Sequence, residues 1–183
     1  LIMLCRQPGS LLYPTFVAED GVIFFKQQYE NGFYESLSTQ YAGYYHFAPR
    51  LIAWLASFFD ISKTPLIYAI ATWIVGSVAY WYFTTEGFSI FIESYISRVA
   101  LAILMVISPD ADNAFKLNCI QWYFLLFSTW IVIAPLPYNK FQRASLFLVL
   151  LVTSWTSPLS LSLFPMVIIR SILRQSSSCR WIW

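Results

Sequence analysis

Glu19 and Asp20 are neighbouring carboxylates at the head of a polar segment, Pro14 to Arg50, and Gly21 follows them. A carboxylate at such a place can act as a general base on a hydroxyl acceptor, provided it reaches the proton and is held in position. The other reading is purely structural: a solvated loop charge, or Asp20 capping a helix that begins near Val22. Gly21 allows the tight backbone that either reading requires. His46 is the only histidine; a metal site would need partners that cannot be named, and a lone histidine is more often structural than catalytic. Arg50 stands where the first apolar helix begins. Its guanidinium can grip a phosphate with two parallel hydrogen bonds or anchor the helix by snorkelling to headgroups. Asn118 and Gln121, three residues apart, can face one side of a helix. With Asp110, Asp112 and Asn113 they form a polar group before an apolar run. Polar groups entering a membrane are costly and often functional, whereas the structural reading is a capped, solvated turn. Glu93 and Arg98 suit an ion pair or an interface position.

The elements that must hold these groups are apolar. Of 183 residues, 58% are hydrophobic, 20% aromatic and only 11% charged, against about 25% charged in an ordinary soluble domain. With a mean hydropathy of +0.61, the chain lacks the polar residues for a fully solvated surface, so the bilayer is the expected solvent. The net charge of +2 is too weak to suggest nucleic acid. Cys5, Cys119 and Cys179 are widely spaced and odd in number, which supports neither a disulfide framework nor a zinc site.

A helix that crosses the hydrocarbon core takes about 20 apolar residues. Pro65 to Phe83 and Cys119 to Tyr138 meet that length. Leu51 to Phe59 and Val99 to Ile107 are shorter, and Ala144 to Ile169 is broken by Ser157-Pro158 into two helices or one kinked helix. Lys140 and Arg143 follow one span, and Arg170, Arg174 and Arg180 follow the last. The positive-inside rule then makes both places cytoplasmic and puts Pro14 to Arg50 outside. This closes only if the broken stretch returns to its starting side. The outer segment is thick with aromatics, and Ile23, Phe24, Gln27, Gln28 and Tyr29 fall at the spacing of a helix lying in the interface. No glycine-rich phosphate loop, GxSxG, HExxH or regular arginine repeat occurs, so ATPase, serine hydrolase, zinc protease and voltage sensor lose support.

Pro14-Thr15-Phe16-Val17-Ala18-Glu19-Asp20-Gly21 and Tyr41-Ala42-Gly43-Tyr44-Tyr45-His46-Phe47-Ala48-Pro49-Arg50-Leu51, with Ser108-Pro109, Asn118-Cys119-Ile120-Gln121-Trp122-Tyr123 and Ser157-Pro158-Leu159 later, resemble a group of bacterial multi-pass proteins. The arrangement is similar to the GT-C superfamily of polyprenyl-phosphate-sugar glycosyltransferases, over about Pro14 to Arg174. That resemblance implies an all-α, polytopic transmembrane helical bundle in the bacterial inner membrane, with an extracytoplasmic loop bearing interfacial helices. It implies a single membrane domain over 1–183, with the outer loop at 14–50 and transmembrane helices over 51–174. The first span is nearly missing, and GT-C enzymes usually have many more helices, so the chain is expected to be the N-terminal part of a longer protein, without that protein's C-terminal half.

By the same resemblance, Asp20 is the general base and Glu19 its helper or alternative. The acceptor oxygen attacks the anomeric carbon of a lipid-linked sugar and the lipid phosphate leaves. Arg50 and His46 are expected at the phosphate or sugar, and Asn118 and Gln121 form a second polar wall. Tyr44, Tyr45 and Trp122 stack on a sugar or, more readily, pack at the interface. The expected partners are membrane lipids, a polyprenyl-phosphate sugar and a glycan, lipid or protein acceptor. No cofactor is implied beyond the donor substrate, and a metal requirement stays open. Two alternatives remain: a transporter or flippase of lipid-linked saccharide using the Pro158 break as a discontinuous helix, or a fragment without activity of its own.

Overall fold

The computed structural model describes residues 2–108, 115–135 and 139–175. Asp110, Asp112, Asn113, Tyr138 and Arg180 lie outside that set. The described residues are helical, apart from loops and one isolated bridge between Tyr41 and Tyr44. Two short helices, α1 (Ile2–Arg6) and α2 (Gly9–Leu12), open the chain. A π-helical segment, Asp20–Phe25, runs directly into α3 (Lys26–Ser38), which is broken internally at Gly32 with φ 74°. Then come α4 (Phe47–Ala56), α5 (Thr64–Phe83), α6 (Tyr95–Ile107), α7 (Ile120–Ile133), α8 (Lys140–Thr156) and α9 (Phe164–Gln175).

α5 is the long rod of the bundle. Pro65 sits in its first turn, where a missing N–H costs nothing. Ala69, Thr72, Gly76 and Ala79 line its buried side, and such small residues let backbones approach closely. A Cβ at Gly76 would come within 3.1 Å of Met3 Cε and 3.3 Å of the Tyr123 ring, so α1, α5 and α7 meet there with no room to spare. The helix expected over Cys119 to Tyr138 ends at Ile133, where Ala134 turns extended before Pro135. Its first turn is a 3-10 turn, Leu117–Cys119.

Ser157-Pro158 breaks the last apolar stretch, as its proline requires. α8 stops at Thr156, and a 3-10 segment Pro158–Leu163 leads into α9. The Ser157 hydroxyl accepts the Leu159 N–H at 3.3 Å, capping the new segment. α9 then runs back along α7, where the Arg170 guanidinium donates to the carbonyls of Ile131 and Val132. The broken stretch therefore returns to the end of the bundle at which α8 begins.

The bundle thus has two ends. One gathers the acidic pair, the start of α7 and the end of α8. The other gathers Phe83, Phe88 and Ala134 in one apolar cluster, together with Arg98. Arg98 is buried and donates to the carbonyls of Thr84 at 3.2 Å, Ile92 at 2.7 Å and Glu93 at 3.0 Å. Its partners are backbone oxygens at the end of α5 and in the turn before α6, so it acts as a helix-end cap rather than as an ion-pair partner of the Glu93 carboxylate.

Candidate functional site

The first end of the bundle is built from segments far apart in sequence. The π-helical segment begins at Asp20, yet its side chain caps no local amide. It reaches across to α7: Asp20 Oδ2 accepts the Leu117 N–H at 3.0 Å and Oδ1 accepts the Asn118 N–H at 2.8 Å. These are first-turn donors that a helix cannot satisfy itself, and a negative charge suits that end of its dipole. Asp20 is only 2% exposed. Burial pushes its carboxyl up to about 6; the two amides oppose that rise, and the Glu19 charge adds to it. Glu19 is half-buried, and its Oε2 accepts the Asn118 side-chain amide at 2.7 Å. Asn118 therefore binds both carboxylates, through its main chain and its side chain.

Gln121, one turn further on, accepts a hydrogen bond from the Tyr44 hydroxyl at 3.1 Å. The Tyr44 ring stacks on His46 with centroids 3.8 Å apart, and Phe24 and Tyr41 stand against the same imidazole at 5.4 and 5.5 Å. Enclosed in this way, His46 has its pKa lowered to about 4, by burial first. Tyr41's backbone opposes the shift without reaching hydrogen-bond geometry, and neither ring nitrogen has a hydrogen-bond partner among the described residues. His46 is neutral at physiological pH.

Arg50 is the brace of this end. It is fully buried, and its Nε donates to the Tyr45 carbonyl at 2.8 Å. Nη1 donates to Gln27 Oε1 at 2.8 Å and Ser36 Oγ at 3.0 Å, while the guanidinium carbon lies 5.9 Å from the centre of the Phe24 ring. One side chain thus ties α4 to the π-helical segment, to α3 and to the loop before α4. Buried as it is, Arg50 is not a snorkelling anchor; its Nη2 has no hydrogen-bond partner among the described residues.

The six residues expected to form the site fall into two contact sets, Glu19 and Asp20 on Asn118, and Gln121 on Tyr44, Tyr44 on His46 and His46 through Phe24 to Arg50; Asn118 and Gln121, one turn apart at the start of α7, bring the two sets to the same end of the bundle. Among the described residues, three outside the glycines adopt left-handed backbone, Ala18 (φ 48°), Ala42 (φ 51°) and His46 (φ 51°): Ala18 precedes Glu19, Ala42 lies in the Tyr41–Tyr44 turn, and His46 belongs to the site itself. Strain of this kind persists only where surrounding structure imposes it, and it gathers at functional sites.

Beside the group lies a half-open groove of about 510 Å³, walled by Tyr44, Tyr45, Phe47, Trp155 and Pro158. Trp155 is mostly exposed and meets Phe47 edge-on at 5.4 Å. Sequence reading missed Thr156, whose hydroxyl accepts the Ala48 N–H at 3.1 Å and joins α8 to the start of α4. It also missed Gln27 and Ser36 as partners of Arg50. A threonine at a helix end and two polar residues in a polar segment carry no local signal of such distant partners. Trp122, weighed as a stacking residue, is exposed on α7.

The chain matches no protein-family model, no curated protein and no solved structure. Among the described residues no group of three His, Cys, Asp or Glu side chains is placed to hold a metal ion. What the site offers chemically is one buried carboxylate, one carboxylate at its margin, a neutral imidazole and an aromatic groove.

Proposed function

We propose that the chain is the site-bearing part of a membrane glycosyltransferase of the GT-C type, moving a sugar from a polyprenyl phosphate to a hydroxyl acceptor at the outer face of a bacterial inner membrane. One observation carries the reading: the carboxylates of Glu19 and Asp20 are gathered with Asn118 at the start of α7, and Tyr44, which donates to Gln121 one turn further along α7, walls a groove lined by aromatic residues. Glu19 is the better base of the two. Both oxygens of Asp20 are occupied by backbone amides in a buried setting, whereas Glu19 Oε1 has no hydrogen bond among the described residues. Glu19 would take the acceptor proton as the acceptor oxygen bonds to the anomeric carbon. The bond from that carbon to the lipid phosphate breaks, and the phosphate leaves with the electron pair. Asp20 holds Asn118, and through it Glu19, in place. The groove is suited to the apolar chain of the donor, and Arg50 to shaping the loop rather than to gripping phosphate.

A bilayer as solvent has its own support. The stretch Ile61–Phe83 is 23 residues long and contains an 18-residue window of mean hydropathy 1.5; among the described residues it is the one helix that is, by length and composition, enough to cross a membrane. Its outward side carries Ile70, Ile74, Val78 and Trp81, and exposed apolar residues recur on α6 (Leu101, Leu104, Ile107), α8 (Phe147, Leu148, Leu151) and α9 (Ile168, Ile169, Ile172). A surface helix facing water puts polar residues on that side. The shorter helices would complete a polytopic bundle.

The deciding experiment is sugar transfer by membranes that contain the protein, supplied with polyprenyl-phosphate sugars, comparing wild type with Glu19→Gln and Asp20→Asn at equal expression. Loss of transfer in Glu19→Gln with the protein intact is the expected result. Transfer that survives both changes overturns the site, and no transfer from any donor overturns the enzyme reading. A second reading, a transporter of lipid-linked saccharide, draws on the break at Ser157-Pro158, which lines the groove itself. It expects Pro158→Ala to abolish movement of the lipid-linked sugar across vesicles while Glu19→Gln leaves it intact.

A further inference from the structure

A second cavity of about 250 Å³ lies on the far side of the π-helical segment, between α3, α4 and the start of α5. Its walls include Phe25, Gln28, Tyr29, Ser57, Ile61 and Thr64. Phe25 and Tyr29 present two nearly parallel rings, 5.8 Å between centroids and 20° between planes. Gln28 is 8% exposed, and its Oε1 is buried with no hydrogen-bond partner. A buried amide oxygen without a donor is costly, and native structures supply one from protein, water or ligand. The Thr64 side chain is buried beside it at the start of α5. No lining residue is charged.

We infer that this cavity binds one ring of a neutral, polyhydroxylated ligand, that is, a single saccharide unit. The aromatic faces suit the apolar C–H side of a sugar ring. Gln28 Oε1 accepts from a ring hydroxyl, and the Thr64 hydroxyl can donate or accept beside it. The absence of charge from the walls selects against phosphate and against uronic acids. The volume is below the roughly 300–1,000 Å³ of ordinary drug-sized sites, which limits the occupant to one ring. Phe25 also packs on Phe16 at 4.9 Å, and Phe16 lies against Gly21, so an unbroken apolar wall leads from the cavity to the residue that follows the acidic pair. As an acceptor subsite the cavity rests on the glycosyltransferase reading; as a sugar-binding site it does not.

The test separates the two. Saturation-transfer NMR on the detergent-solubilised protein, with methyl β-glucoside, methyl α-mannoside, N-acetylglucosamine and glucose 6-phosphate as probes, reads binding without turnover. Signal from at least one neutral probe, reduced at least tenfold in Gln28→Leu and in Tyr29→Ala and unchanged in Glu19→Gln, is the expected result. Tyr29 is exposed, so that variant tests the site even if Gln28→Leu misfolds. Binding of no neutral probe, or binding that Tyr29→Ala and Thr64→Val leave unchanged, overturns the site. If the neutral probes bind as expected yet no sugar transfer is found, the site stands and only its acceptor role falls.

Discussion

The Asp20 carboxylate caps a helix to which it is joined only by tertiary structure: its Oδ1 accepts the Asn118 N–H at 2.8 Å across 98 positions of chain. The same carboxylate takes the Leu117 N–H, and with Glu19 on Asn118 and Tyr44 on Gln121 the segment 14–50 is fastened to the start of α7 at three residues. At the other end of α7, Arg170 donates to the Ile131 and Val132 carbonyls. A negative group at the first end and a positive one at the last both complement the helix dipole.

The division of labour between the two carboxylates is measurable. Asp20→Ala leaves two backbone N–H groups without their acceptor and is expected to cost about 1–3 kcal/mol of stability. Glu19→Gln keeps the shape, still accepts from Asn118, and is expected to leave the unfolding temperature within a degree or two while lowering transfer by roughly 10²-fold or more. Thermal unfolding in detergent, read beside the transfer assay, checks both. A Glu19→Gln variant as unstable as Asp20→Ala would show that Glu19 too is a structural residue.

Asp20 and His46 push the pH dependence of stability in opposite directions. The folded pKa of Asp20 is raised from 3.8 to about 6, so its contribution is complete below about pH 4 and is lost as pH rises towards 6. The folded pKa of His46 is lowered from 6.5 to about 4, so its contribution is complete above about pH 6.5 and is lost as pH falls towards 4. Each is worth at most about 3 kcal/mol, and between pH 4 and 6 they largely cancel. Wild type is expected to show a nearly flat profile there. His46→Phe should gain stability on acidification and Asp20→Asn should lose it; denaturant midpoints taken every half pH unit would reveal either slope.

Arg50 should resist replacement. Truncation to alanine strands the Tyr45 carbonyl, the Gln27 amide oxygen and the Ser36 hydroxyl in a buried place, with an expected cost of about 2–4 kcal/mol. Lysine keeps the charge but not the planar fork, so Arg50→Lys should recover less than half of that loss. Limited proteolysis would report the change as earlier cutting within 26–46 than elsewhere. Uniform cutting along the chain would argue against a local brace.

The two ends of the bundle should lie on opposite sides of a membrane. With Cys5, Cys119 and Cys179 replaced by alanine, Gln40→Cys at the acidic end is expected to react with an impermeant maleimide in right-side-out vesicles. Ser97→Cys, at the other end, should react only after the vesicles are opened. Equal labelling of both in sealed vesicles would remove the spanning arrangement.

Helices were legible in the chain because their signals are local. Pro65 marks the start of α5 and Pro158 ends α8, but the run expected to span from Cys119 to Tyr138 stops at Ile133, and among the described residues only Ile61–Phe83 is long and apolar enough to cross a membrane. The grouping of Glu19, Asp20, His46, Arg50, Asn118 and Gln121 was legible only as a set of residue types. Their roles were not, because a role depends on which groups meet. Asp20 looked able to cap a helix beside it, and local spacing gave no reason to choose the amides of Leu117 and Asn118 instead. Arg50 looked equally suited to a phosphate or a headgroup until packing closed Gln27, Ser36 and Phe24 around it. The sequence by itself determined an apolar, helical chain with a polar segment rich in aromatics, since composition and periodicity act residue by residue. Only the tertiary structure decided that one carboxylate is spent as a cap while its neighbour stays at the margin, because that depends on how the π-helical segment and α7 stack, and residues about a hundred positions apart carry no local record of it.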